Sequence, residues 1–167
     1  MTNLMRLPQG DVRLLDSEPA QQLLKSTELA RVAYVAGDDT PRVLPMLFHW
    51  TGEELVFATF HGASKIAALR ARPAIAVTID SAALPPAALL LRGNVTVTDV
   101  DGIAPEYVLA QQRYYGPDMA AASAAEADRP GVRMARIALR PTWVGVFDFQ
   151  TRFPGGGTAE DFARRGQ

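Results

Sequence analysis

Residues 30 to 60 constrain this chain more than any other stretch. They read ARVAYVAGDDTPRVLPMLFHWTGEELVFATF, three strand-like runs around residues 30–36, 42–50 and 54–60 joined at GDDT and TGEE. Connectors this short, rich in Gly and Asp, suit an antiparallel meander. Pro45 inside the second run cannot donate to a ladder. It is expected at a bulge, at an edge, or where the backbone faces a ligand.

The flanking sequence extends the same pattern. DSEPAQQLLKS (16–26) offers Asp16 or Ser17 as the N-cap of a short helix that buries Leu23 and Leu24. SKIAALRAR turns Ile66 and Leu69 toward a core until Pro73 stops the helix. AIAVTID (74–80) and ALLLRGNVTVTDV (88–100) read as strands, the second bent or bulged at Gly93. Residues 102–115 predict an amphipathic helix, DMAAASAAEAD a helix or a mobile surface segment, and RMARIALRPTWVGVFDFQ two strands around Pro141. Strands dominate and join by turns or single helical excursions. The fold class expected is therefore mainly β with peripheral helices, one antiparallel barrel over residues 1–150. Residues 151–167, TRFPGGGTAEDFARRGQ, read as a loose Gly-rich C-terminal tail.

Composition removes several function classes. Seventeen basic and eighteen acidic residues leave a net charge of −1, with no electrostatic footprint for nucleic acid. There is no Cys, hence no disulfide framework, thiolate metal site or catalytic thiol, and only His49 and His61 supply imidazole, too few for a His-rich metal site. The opening MTNLMRLPQGDVRLL lacks the apolar core of a signal peptide, and no apolar run approaches the roughly 20 residues of a membrane span. A soluble, cytoplasmic protein without a membrane partner is expected.

Chemistry concentrates in FATFHGASKIAALR (57–70). Lys25 and Lys65 are the only lysines; every other cationic side chain is Arg. A strand ending in a Gly-containing turn that opens a helix exposes backbone N–H groups in a field that favours an anion. Ser64 and Lys65 would complete a phosphate cradle; equally, Ser64 is an ordinary N-cap and Lys65 a solvated surface charge. Arg42, at the start of the second strand, is either a strand-edge charge or a second cation aimed at the same anion. Trp143 and Phe147 could flank a flat ring or simply belong to the core.

These segments together resemble the flavin-binding split-barrel family related to pyridoxamine 5′-phosphate oxidase. The resemblance covers about residues 20–149 and is most specific in GASK followed by LRARPAIAV. It implies a split β-barrel that binds FMN, or the deazaflavin F420, between the subunits of a homodimer. It also implies an oxidoreductase acting on a small-molecule substrate. By the same resemblance Arg42 reaches the flavin phosphate and the Val43–Leu44–Pro45 backbone meets the isoalloxazine edge. Ala58 and Thr59 run along the flavin, and Ser64 and Lys65 grip the phosphate; Trp143 joins the cofactor-binding candidates as an aromatic ring able to flank a flat one.

The departures from the family pattern are specific. Ser64 stands where the family often has Arg before its Lys. Ala88 stands where the vitamin-oxidising members carry Gln, and FDFQTRFPG holds no His for a pyridoxal substrate. Pyridoxamine phosphate oxidation is therefore not expected. No side chain is an evident general acid or base; Tyr34, His49 and His61 are candidates only by elimination. A flavin or haem carrier on the same barrel, without turnover, is the competing reading.

Overall fold

In the computed structural model, which describes residues 3–166, the meander forms as expected but its second run divides. The strands are β1 (Ala30–Val35), β2 (Pro41–Met46), β3 (His49–Trp50) and β4 (Leu55–Phe60). The break falls at Leu47–Phe48. Phe48 turns fully into the core, and Arg113 donates to its carbonyl at 2.6 Å while stacking on its ring. Burying a Phe side chain contributes about 1.5–3 kcal/mol, which sets the direction of the chain here against a continuous strand.

Around the meander lie α1 (Glu18–Lys25), α2 (Ser64–Ala71), β5 (Ala74–Ser81), β6 (Ala87–Asp101), α3 (Pro105–Tyr115), α4 (Pro117–Ala127), β7 (Arg133–Leu139), β8 (Trp143–Phe147) and α5 (Ala159–Arg165). The sheet order is β2-β1-β5-β6-β7-β4-β3, every pairing antiparallel, with β8 also on β6. β6 ties the two halves together. Its first part pairs β5 and β8, its second part β7, and the bend lies at Gly93. A Cβ there would stand 3.0 Å from the Leu139 side chain and 3.1 Å from the Arg140 carbonyl, so close backbone approach is what requires glycine.

The two ends of this order, β2 and β3, are consecutive in the chain. Residues 47 and 48 thus close covalently a barrel that hydrogen bonds leave open. This is a split barrel. Its interior holds Val32, Leu55, Phe57, Val77, Leu89, Leu91, Ile137 and Val146, with Leu23 and Leu24 of α1 packed on it. Among the described residues no helix is long and apolar enough to cross a membrane.

The residues after 150 are not loose. Arg152 is fully buried, donating to the carbonyls of Val146 and Met5 at 2.8 and 2.7 Å. Thr158 and Asp161 form a reciprocal capping box that starts α5. The Gly-rich composition concealed a guanidinium that binds the segment to β8 and to the N-terminal turn.

Candidate functional site

The split exposes two strand edges. β2 pairs only β1, and β4 beyond Val56 has no partner on the side away from β7. The hydrogen bond from the Ala36 amide to the Thr40 carbonyl, 2.9 Å, fixes the phase of the β1–β2 ladder. Counting outward, pairs Tyr34–Arg42 and Val32–Leu44 exchange bonds, whereas Pro41, Val43 and Pro45 turn their backbone away from β1. Both prolines therefore stand where a missing N–H costs nothing, and the Val43 N–H is the one amide of the three that faces the split. The same counting on β4, from the 2.9 Å bond between the His61 amide and the Arg133 carbonyl, turns the backbone of Ala58 toward the split as well.

Between these edges lies a cavity of about 200 Å³. Leu44, Pro45, Met46 and Leu47 form one wall, Val56 and Ala58 another, and Glu106, Tyr107 and Ala110 of α3 a third, with Lys65 beside them. Beyond Tyr107, whose ring meets Phe60 edge to face at 6.0 Å, opens a larger hollow of about 580 Å³ reaching Ser123, Glu126 and Arg129.

The turn before α2 adopts the expected form. Gly62 has φ of +95°, with nothing within 4 Å of a Cβ placed there, so backbone conformation alone calls for glycine. The helix is capped by Ala63; Ser64 is its first residue and makes no capping bond, which corrects its reading as an N-cap. Among the described residues the amides of Ser64 and Lys65 have no backbone acceptor, and no carboxylate lies within 4.0 Å of the Lys65 ammonium.

The structure thus brings Leu44, Pro45, Ala58 and Lys65 to one cleft, with the Val43 backbone, Thr59 and Ser64 at its margins. Arg42 is engaged elsewhere: it pairs with Asp38 at 2.8 Å and donates to the Thr40 hydroxyl within its own hairpin. Hydrogen bonds from Thr40, then from Arg42, hold the Asp38 carboxyl down at about 2. Trp143 lies outside the cleft, on β8, under the Arg92 guanidinium at 3.9 Å and against Gly10. Of the candidates by elimination, His49 lies half-buried beside Arg113, and burial followed by that charge lowers its pKa. His61 is exposed near Asp99, 3.7 Å away.

Sequence reasoning missed Glu106 and Tyr107. Glu106 accepts from Arg136 at 2.7 Å, and Arg136 also bonds Glu54 at 3.1 Å. Burial, the largest single influence, raises the Glu106 pKa, but the Arg136 bond, the bond from its own backbone amide and the Arg136 charge together outweigh it, so the net shift is downward and the group stands in the cleft wall as a carboxylate. No local signal marks it, because the contact depends on how α3 docks on β3 and β4, within reach of Arg136 on β7. Among the described residues no cluster of three or more His, Asp or Glu could hold a metal ion.

Comparison with known proteins gives a consistent result. Residues 16–87 match the family model described as pyridoxamine 5′-phosphate oxidase. A solved F420 reductase is 28% identical over 75% of this chain and 94% of its own, with a TM-score of 0.58. A putative pyridoxamine 5′-phosphate oxidase from Listeria innocua is 17% identical, covering 77% of this chain and 94% of its own at a TM-score of 0.55. A haem-binding protein from Mycobacterium smegmatis is 19% identical over 85% of this chain and 54% of its own, also at 0.55. The last two likenesses establish the fold alone. No curated protein matches the chain in sequence. With the family model on the meander and α2, and the F420 reductase aligned across most of the barrel, the chain is similar to the split-barrel family related to pyridoxamine 5′-phosphate oxidase.

Proposed function

We propose that the cleft at the split holds FMN and that the protein is a flavin-dependent oxidoreductase acting on a small molecule, working as a homodimer. One observation carries the reading. A lysine without a carboxylate partner stands with two unbonded backbone amides at the start of a helix, beside an apolar cleft framed by two free strand edges. Apolar walls with a few convergent polar groups are what a planar cofactor carrying a phosphate needs.

In this reading Lys65, the Ser64 hydroxyl and the amides opening α2 hold the phosphate. The Val43 amide and the outward carbonyls of Val43 and Pro45 meet the polar edge of the ring, and Leu44, Ala58 and Thr59 pack along it. Arg42 reaches the phosphate only by leaving Asp38, so its contribution is the smaller of the two cations. Trp143, remote from this cleft, would meet the cofactor only from the second copy. A flavin ring, when bound, supplies hydride and electron chemistry; the chain binds, orients and shields it. The hollow beyond Tyr107 is the space left for a substrate.

The 28% identity to an F420 reductase favours a second reading, in which the ring is the deazaflavin F420 and its phosphodiester takes the same turn. For a haem carrier the cleft offers no axial imidazole, since neither His49 nor His61 lines it.

The test is the absorption spectrum of the purified protein, followed by fluorescence titration with FMN, riboflavin and F420. Binding of FMN at least about tenfold tighter than riboflavin supports the phosphate turn. Tighter binding of F420 than of FMN selects the second reading, and binding of neither overturns both. Oxidation of a nicotinamide donor by the loaded protein then separates an enzyme from a carrier.

A further inference from the structure

The cleft carries opposite charges that are held in different ways. Lys65 is unpaired, at the end of a flexible stem. Glu106 is fixed: its side chain is only 15% exposed, and the bond from Arg136 Nε to its Oε1 is 2.7 Å long. Arg136 is itself pinned by a second carboxylate, Glu54, at 3.1 Å. Glu106 and Tyr107 open α3 immediately after Pro105, so the helix start holds the carboxylate against the cleft. One of its oxygens is used by Arg136, and the rest of its accepting capacity is left for an occupant.

An ionised carboxylate accepts hydrogen bonds and donates none, and in a half-buried wall its field is screened far less than in water. An occupant that offers an N–H is therefore favoured, and one that acquires negative charge is disfavoured. The ring systems of FMN and F420 both carry an imide N–H, and a reduced flavin is largely anionic at neutral pH while the oxidised ring is neutral. Charge placed near such a ring tunes its electronics.

Resting on the flavin reading above, we propose that Glu106 is a positioning residue of the cleft, a fixed anion that makes this protein hold the oxidised ring more tightly than the reduced one. Lys65 then secures the phosphate whatever the redox state, while Glu106 discriminates between states. The bound ring becomes a stronger reductant than the free one, which suits delivery of electrons to a poor acceptor.

The experiment compares affinities for oxidised FMN and, anaerobically, for dithionite-reduced FMN in the wild type, Glu106→Gln and Glu54→Gln. Glutamine keeps the shape and an acceptor for Arg136 but removes the charge. Glu54 binds the same arginine and does not line the cleft, so Glu54→Gln reports any effect that acts only through the Arg136 network. Wild type is expected to bind the oxidised ring about tenfold more tightly, with that ratio falling to within about twofold in Glu106→Gln and staying near tenfold in Glu54→Gln. Circular dichroism of the unloaded variants checks the fold independently of the cofactor. An unchanged ratio in a folded, FMN-binding Glu106→Gln, or an equal loss in Glu54→Gln, overturns the inference and leaves the flavin reading standing. Failure of the wild type to bind FMN in either state overturns the flavin reading and this inference with it.

Discussion

Lys65 is the residue on which the proposed function turns. A charge-assisted contact to a phosphate contributes on the order of 1.5–3 kcal/mol. Lys65→Ala should accordingly weaken FMN about tenfold to a hundredfold, with little change in riboflavin affinity or in melting temperature. Arg42→Ala should cost less, because Arg42 would have to give up Asp38 and Thr40 before reaching a ligand. Fluorescence titration of the two variants side by side checks the order; equal affinity of Lys65→Ala and wild type would make Lys65 a surface charge only. At this scale the sequence was legible where a residue's place in the cleft follows backbone position. Leu44, Pro45, Ala58 and Lys65 lie on strands and a turn whose order sets their neighbours. It was not legible for Glu106 and Tyr107, whose contacts arise from the docking of α3. Nor did it show that Arg42 is engaged by Asp38, four residues earlier in the same hairpin.

Two elements have conformations that mutation can separate from their contacts. Gly62 sits at φ +95° in open space, so Gly62→Ala adds no clash and only the left-handed penalty, about 1–2 kcal/mol. For a chain of this size that is a fall of a few degrees, roughly 2–8 °C, in melting temperature, readable by calorimetry. A larger fall would mean that the turn supports more than its own geometry. The segment after β8 is the second case. Its order rests on Arg152, on the Thr158–Asp161 capping box and on the ring contacts of Phe153 with Phe149 and Phe162. Thr158→Ala should remove about 1 kcal/mol from α5 and raise protease sensitivity after residue 155 while leaving the barrel transition unchanged. The boundaries of the elements were largely readable from Pro73, Pro141, Gly62 and the hydrophobic periodicity. What was not readable was the anchoring of the tail by Arg152, because Gly-rich composition reports chain freedom and says nothing of a single long side chain reaching two distant carbonyls.

For the whole molecule, the antiparallel, mainly β architecture was legible because short connectors leave antiparallel pairing as the simplest solution, whereas the order β2-β1-β5-β6-β7-β4-β3 was not. The split came from the family resemblance and not from the strand pattern, since it depends on Phe48 leaving the strand line for the core. A cleft of about 200 Å³ lies below the roughly 300–1,000 Å³ of ordinary ligand sites, and Val43, 68% exposed, adds uncovered apolar surface beside it. Light scattering should therefore give twice the chain's mass, and a strict monomer that binds FMN tightly would refute the dimer. Acid stability is a further molecular property. His49 has a folded pKa below its ordinary 6.5, from burial and then Arg113. Between those two values the unfolded chain takes up a proton that the folded one refuses, so stability falls as pH drops below about 6.5 and levels off under the folded pKa. His49→Gln should flatten that part of the curve in denaturant titrations at pH 5 to 7; an unaltered slope would place its origin elsewhere.

The alternating prolines of β2 have a consequence beyond the cleft. A bare strand margin is a template on which further chains can line up, the first step toward fibrils. Here two of the three outward amide positions, Pro41 and Pro45, carry no hydrogen, and a newcomer would find one donor, at Val43, among the outward carbonyls. The margin can therefore stay open for a small molecule without seeding polymer growth. Along this margin, copies of the chain that associate have side-chain contacts to rely on more than a continued ladder.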